Sequence, residues 1–400
     1  MNIAYVLNAT VANGGATKAF LNMMDGLMQY GVKPFVVVPD KEGVYHELTK
    51  RQIPTLVVTF RYSAYPHSHT LKQRILFLPR LAARIYVNWK AAKVLATYIK
   101  DNKIDIVHSN VGVVRIGFNA AQRVGIPHIY HIREYADKCG YHYFPTNNSF
   151  AHQLQGNQSF SICITRDIQK YYQQGEVIVS DSGNKIKASR VIYDGVLSQM
   201  NALPKSEGKK EYFLYAGRIQ PAKGLDQLLL AYSIYARKAE KPLHLKVAGS
   251  NGDDAYYQKQ LDFIRDNQLT DLVELLGNRD DITALMRKAR ALVVSSPFEG
   301  FGFCMPEAQQ QGCLVIGRNT SGTKEQLDNA LTMNGKEIAL RYETAEELAE
   351  LLSQVADNPP QYYQAMTEQA FAIVNSLYTK ERHAKEVFQF YQDILNKNNC

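Results

Sequence analysis

Short apolar runs alternate with stretches of helical period along most of the chain. Asn2–Leu7 predicts a first strand, followed by a loop over Asn8–Gly15 and a helical pattern to about Gln29. Pro34–Val38 predicts a second strand ending at Pro39-Asp40. Asp105–His108 and His128–His131 predict two more, with a helix near Gly117–Val124 between them. The rhythm resumes with expected strands at Tyr212–Ala216, Leu243–Ala248, Val273–Leu276, Ala291–Val294 and Leu314–Ile316. Apolar runs separated by helical crossovers belong to parallel sheets covered on both faces. The pattern therefore predicts an α/β protein of two Rossmann-like doubly wound domains facing each other across a cleft. The rhythm lapses between Val191-Ile192 and Tyr212, which puts the boundary near Asp194–Pro204 and the domains at 1–195 and 196–379.

Length agrees with this, because 400 residues exceed what one compact core accommodates. The start of the chain lacks the basic flank and apolar length of a secretory signal, and no run approaches the roughly 18 apolar residues of a membrane span. Cys139, Cys163, Cys304, Cys313 and Cys400 are scattered, without a C-x-x-C pair. That spacing argues against a disulfide framework or a zinc site and predicts a cytoplasmic protein.

Charge is unevenly placed. Residues 1–195 hold 23 Lys and Arg against 12 Asp and Glu, so the net +8 arises entirely there. Between residues 48 and 100 there are ten Lys and Arg and no acid. Leu81, Ile85, Trp89, Ala92, Ala96 and Ile99 recur within it at helical spacing. Two readings stand: a helix packed on the core with a solvated basic face, or a helix on an anionic membrane surface. The absence of acids favours an anionic contact. No nucleic-acid-binding motif accompanies the charge.

Doubly wound sheets bind ligands beyond the carboxyl ends of their strands, so residues there are the candidates for chemistry. Directly after the strand at 291–294 comes Glu299-Gly300-Phe301-Gly302-Phe303-Cys304-Met305-Pro306-Glu307. Its glycines admit a ligand close to the backbone, and Pro306 suits the first position of a helix. A helix N-terminus accepts diphosphate, while the bracketing carboxylates suit sugar hydroxyls. After the strand at 212–216 comes Gly217-Arg218-Ile219-Gln220-Pro221-Ala222-Lys223-Gly224, whose Arg218 fork and Lys223 point charge suit two phosphates. Each motif alone also reads as a solvated loop or a turn; together, on one sheet edge, they point to a phosphate grip. Asn13-Gly14-Gly15-Ala16 lies in the first strand–helix loop and is not G-x-G-x-x-G. His131-Ile132-Arg133-Glu134 closes a strand, with His131 expected at the edge facing the cleft. Arg279, in Gly277-Asn278-Arg279-Asp280-Asp281, follows another; there Asp280 or Asp281 also serves as a helix cap. No D-x-D, H-E-x-x-H or Walker A segment occurs, so no metal site is expected.

Glu299-x7-Glu307, the Gly217–Gly224 segment and the Gly14-Gly15 loop together resemble the retaining family 4 glycosyltransferases of the GT-B fold, the glycosyl transferases group 1. Val191-Ile192-Tyr193-Asp194-Gly195-Val196 resembles that family's V-I-x-N-G-V junction, with Asp194 in place of Asn. Thr320–Glu325 resembles its Gly-rich segment. The likeness spans about residues 3–330 and is sparse over residues 40–105. It implies that Arg218 and Lys223 hold the donor diphosphate and that Glu307 accepts from the ribose. Glu299 and the backbone at Gly302, Phe303 and Cys304 would then grip the transferred sugar, with Arg279 by the base. Gly14 and Gly15 would close over the diphosphate from the first domain, His131 would meet the sugar, and Lys380–Leu395 would be the helix that crosses back to the first domain. Cys313 and Gln309-Gln310-Gln311 depart from the family pattern without touching the charged groups.

The resemblance implies a retaining, metal-independent hexosyl transfer from a nucleotide-diphosphate sugar, UDP ahead of GDP. The acceptor would be a glycan or lipid-linked, in polysaccharide or glycolipid assembly at the inner membrane face. Three other readings remain open from sequence. An epimerase of the same fold would bind the donor alone. An NAD-dependent oxidoreductase would use Asp40 on a ribose, against which stands the missing G-x-G-x-x-G. A non-catalytic sugar-nucleotide-binding module is the third.

Overall fold

A computed structural model describes residues 1–8, 14–66, 71–135, 137–138, 140–156, 158–172, 177–179, 185–204, 208 and 211–398. Asn13, Cys139 and Cys400 lie outside the described residues. The chain divides into two units, Met1–Gly195 with Lys380–Cys400, and Val196–Thr379.

In the first unit seven parallel strands form one sheet: β1 (Asn2–Val6), β2 (Lys33–Val38), β3 (Thr55–Val57), β4 (Ile106–Ser109), β5 (His128–Ile132), β6 (Ser159–Cys163) and β7 (Ser189–Val191). Their order is β7-β6-β5-β4-β1-β2-β3, so the winding reverses beside β1. Two short antiparallel ladders, Ala64–Pro66 with Tyr141–Tyr143 and Val177–Val179 with Lys185–Lys187, accompany it. Helix Gly15–Met28 covers one face with Phe20, Met23, Met24 and Leu27, which pack with Val387, Phe390, Tyr391 and Ile394 of the terminal helix Lys380–Asn398. That helix therefore belongs to the first unit. Gly26 makes the packing close, since a Cβ there would meet Ala384 Cβ at 2.4 Å.

The second unit repeats the design with β8 (Tyr212–Ala216), β9 (His244–Ala248), β10 (Val273–Gly277), β11 (Ala291–Val294), β12 (Leu314–Arg318) and β13 (Leu340–Tyr342). All pairs are parallel, in the order β10-β9-β8-β11-β12-β13, with the switch point between β8 and β11. Its core joins Phe213, Leu245, Val247, Val293 and Ile316 to Leu228, Leu229 and Tyr232 of helix Leu225–Lys238 and to Leu348 and Leu352 of helix Ala345–Asp357. A Thr344–Glu347 capping box fixes the start of that last helix. Both units are Rossmann-like α/β arrays.

The expected strands are present with ends moved by a residue or two; β3, β6, β7 and β13 of the two main sheets and the four strands of the short antiparallel ladders were not foreseen. β6 reads Ser-Phe-Ser-Ile-Cys, too polar to mark a buried strand, yet all five residues are buried. The basic stretch also differs from expectation. Helix Phe77–Asp101 buries Leu81, Asn88, Ala91, Ala92, Leu95 and Ile99, while Ile85 and Trp89 are 56% and 43% exposed. Asn88 takes the core position because its amide is satisfied there: it accepts from the Arg61 N–H at 2.8 Å and donates to the Arg61 carbonyl at 3.0 Å. Among the described residues no helix is long and apolar enough to cross a membrane.

Candidate functional site

The switch point of the second sheet gathers the charged residues. Beyond β8 the chain runs through Gly217 and Arg218 to a single 3-10 turn, Pro221–Lys223, and Gly224 then opens the next helix at φ 65°. Only glycine fits: the conformation is left-handed, and a Cβ would meet the Ser295 carbonyl oxygen at 2.2 Å. Ser295, just past β11, donates its hydroxyl to the Lys223 carbonyl at 3.1 Å. The loops after β8 and β11 are thus locked together. Lys223 Nζ then lies 2.7 Å from Glu299 Oε2, the two side chains 28% and 12% exposed. Burial works against the lysine's charge, but the Glu299 carboxylate outweighs it and holds the ammonium above its ordinary range. Arg218 is exposed beside this pair, carries no ion pair among the described residues, and repels Lys223.

The Glu299–Glu307 string forms a tight loop into helix Cys304–Gln310. Gly302 turns it at φ 87°, where a Cβ would meet Glu299 Cγ at 2.8 Å. The N-terminus of helix Ser321–Asn334 holds it from below: Gly322 N–H donates to the Glu299 carbonyl at 2.9 Å, and buried Gln326 donates to the Phe301 carbonyl. Pro306 falls at the third helical position rather than the first. It is tolerated because the first four helical N–H groups have no intrahelical partner. The Cys304 thiol is pushed up to about 12 by burial and by the Glu299 carboxylate, with Lys223 opposing and Glu307 adding to the rise. Cys304 therefore stays a neutral thiol, and Lys223, Glu299, Cys304 and Glu307 share one electrostatic neighbourhood. Gln326 was not foreseen; a glutamine inside a helical pattern carries no signal of its own.

Arg279 lies apart from this group. It follows β10 at the sheet edge, two strands from β8, and makes a bidentate pair with Asp281 at 2.8 Å on both arms. Asp281 is the helix cap position, but its carboxylate serves Arg279 rather than the helix amides.

In the first unit, Gly14 caps helix Gly15–Met28 in an extended conformation and Gly15 is exposed at its first position, directly after the loop from β1. His131 corrects the expectation of an edge residue. It sits within β5, completely buried, with Nδ1 3.2 Å from His108 Nε2 and Nε2 3.6 Å from Asp194 Oδ1. The edge position belongs to Arg133, two residues on. Its Nε and Nη2 donate to the Asp194 carboxylate at 3.0 and 2.9 Å, and its Nη1 donates to the Asn110 carbonyl at 2.6 Å. Asp194 is fully buried, which accounts for an acid where the junction resembles V-I-x-N-G-V: it neutralises Arg133. His383, from the terminal helix, accepts the Gly195 N–H at 2.5 Å and lies 3.8 Å from Asp194. His131, Asp194 and His383 are the trio among the described residues whose ligand atoms come within 4.8 Å of one another. Arg133 already occupies both oxygens of Asp194, which disfavours a cation there.

Burial disfavours imidazolium, so His383 is pushed down to about 4 and His128 to about 3, and His108 and His131 fall well below their ordinary value. Unfolded, each would titrate near 6.5. Between those values the unfolded chain binds protons that the folded unit refuses. Stability is therefore fully present above about pH 6.5 and lost as pH falls towards 4. His383 alone contributes on the order of 3 kcal/mol. The urea midpoint of the first unit should fall steadily from about pH 7 to about pH 4.5; a flat profile would contradict the buried neutral histidines.

Residues 200–372 match the family model for glycosyl transferases group 1. No curated protein matches the chain by sequence. Among solved structures, HepE of Anabaena in complex with UDP and glucose is similar at TM-score 0.74 and 17% identity, covering 98% of this chain and 100% of its own. A glycosyltransferase from Rickettsia africae is similar at TM-score 0.72 and 17% identity, covering 98% of each chain. WaaG, a glycosyltransferase involved in lipopolysaccharide biosynthesis, is similar at TM-score 0.65 and 16% identity, covering 96% of this chain and 99% of its own. Family match and fold agree: both units are Rossmann-like, as in the GT-B architecture, and the charged switch point lies inside the segment that matches glycosyl transferases group 1.

Proposed function

We propose that the chain is a retaining, metal-independent hexosyltransferase. It moves a sugar from a nucleotide-diphosphate donor to a glycan or lipid-linked acceptor in polysaccharide or glycolipid assembly. The observation that carries this is the Lys223–Glu299 pair at the switch point, with Arg218, which carries no ion pair among the described residues, beside it. Leaving-group departure builds negative charge on the donor diphosphate. Preorganised cations aimed there supply the main catalytic term, each worth roughly 3–4 kcal/mol by analogy with oxyanion holes. Lys223 spends one N–H on Glu299 and keeps two for phosphate oxygens; Arg218 offers its planar fork. These two fixed charges take the place of a divalent cation. Glu299 and the backbone at Gly302, Phe303 and Cys304 receive the sugar, Glu307 the ribose hydroxyls, and Arg279 the base.

Retention follows from a front-face route: the anomeric C–O bond breaks, the acceptor oxygen attacks from the same face, and the departing phosphate takes the acceptor proton. UDP is favoured as the carrier, supported by the UDP complexes of HepE, a similar fold. The enzyme works in the cytoplasm, peripheral to the inner membrane face.

Thermal stabilisation by UDP, GDP, ADP and NAD, each in EDTA, tests the reading. UDP at a hundred times its Kd should stabilise by about 2.7 kcal/mol, and turnover of the matching UDP-sugar should survive EDTA. Stabilisation by NAD alone would overturn the assignment, and turnover abolished by EDTA and restored by magnesium would overturn its metal independence.

A further inference from the structure

The basic first unit carries a feature that donor chemistry does not use. Seven of the fifteen most exposed large apolar side chains of the described residues fall between Leu71 and Val94. Leu71, Ile75, Leu78, Ile85 and Tyr86 are 75%, 68%, 66%, 56% and 59% exposed, and Trp89 is 43% exposed. They lie on two successive helices, Leu71–Ile75 and Phe77–Asp101, the second of which turns its other face to the core. Leu78, Ile85 and Trp89 are spaced seven and four apart, so they share one stripe of the outer face. Tyr86 and Trp89 stack at 6.3 Å, and Lys93 Nζ lies 3.6 Å over the Trp89 ring. Lys90 and Lys93 lie over the rings of Tyr86 and Trp89, Lys72 and Arg74 stand on the short helix before it, and no acid lies between residues 48 and 100 to neutralise them.

A soluble surface normally disperses such side chains; a contiguous apolar strip edged by one sign of charge marks an interaction face. Its charge decides the partner. A second copy of this chain would set these uncompensated cations against their own kind. An anionic bilayer instead accepts apolar side chains below its headgroups, holds Trp and Tyr at that level, and attracts each nearby Lys or Arg. Long basic side chains reach up to the phosphates while their stems lie along the apolar strip, as Lys93 does over Trp89.

We propose that the first unit docks on anionic lipid bilayers through this strip, with Leu78 and Ile85 inserted and Trp89 at the interface. The inference rests on the peripheral placement proposed above and gives it a surface. Trp89 is the only tryptophan of the chain, so its emission reports the contact without a label.

The test uses the full chain with phosphatidylcholine vesicles, with or without about a third phosphatidylglycerol. At low salt, phosphatidylglycerol vesicles should shift Trp89 emission to the blue and cosediment the protein at least about tenfold more strongly than neutral ones. About 0.5 M salt should reverse most of this. Ile85→Ser with Leu78→Ser should abolish the shift, and Lys90→Glu with Lys93→Glu should abolish the preference for anionic lipid; circular dichroism would verify folding. Lys223→Ala should bind vesicles as the parent does, so loss of turnover and loss of docking are read separately. An unshifted Trp89 with anionic vesicles overturns the proposal. So does equal binding to neutral ones, or concentration-dependent self-association that Ile85→Ser removes while vesicles stay unbound.

Discussion

Lys223→Ala is expected to lower turnover by about 10²–10³-fold while UDP still binds. The ammonium is placed by three independent constraints: the left-handed Gly224, the Ser295 hydroxyl on the Lys223 carbonyl, and the Glu299 carboxylate at 2.7 Å. A positioned charge is worth most where charge grows, on the leaving diphosphate, so kcat should fall more than UDP affinity. Glu299→Gln provides the contrast. It keeps the shape, removes the counter-charge, and should leave Lys223 free to swing; its loss should overlap that of Lys223→Ala rather than add to it. Arg218 has no ion-pair partner among the described residues, so Arg218→Ala should act independently. Normal turnover in Lys223→Ala would remove the phosphate grip from this site.

Arg133→Met is expected to destabilise the first unit by about 3–5 kcal/mol, because it strands a fully buried carboxylate. Among the described residues Asp194 pairs with no other Arg or Lys, but His131 and His383 lie 3.6 and 3.8 Å from its Oδ1. In the variant, protonation of either histidine would supply a counter-charge beside the carboxylate. The deficit should therefore shrink as pH falls from about 7 to about 5, opposite to the trend of the parent. Asp194→Asn should cost less, since an amide oxygen still accepts from Arg133. Urea unfolding of both variants at the two pH values decides the matter: a pH-independent deficit would mean that the histidines do not respond to Asp194.

The pair also shows where reading the chain stopped. His131 stood out as a histidine near the end of a strand, yet two strand positions separate a side chain buried within the sheet from one just past its end. Arg133 and Asp194 are 61 residues apart, and nothing local in either links them. The substitution at Asp194 was visible; its reason was not. Likewise the stripe Leu81–Ile99 has helical spacing, but spacing names a set of faces and not which one is buried. Asn88 entered the core because Arg61 satisfies its amide, and Ile85 and Trp89 were left outside.

The sequence by itself determined the two α/β arrays and the charged loops after β8 and β11, because each follows from local hydrophobic period and from glycines placed after strands. Tertiary structure alone decided which of those charges meet. Strand order brings β8 beside β11, so Lys223 and Glu299, 76 residues apart, share a hydrogen bond, while Arg279 stays two strands away with Asp281. It also decided the fate of the buried histidines and the outer face of helix Phe77–Asp101. Burial and pairing are properties of packing between distant segments, and local pattern holds no record of them.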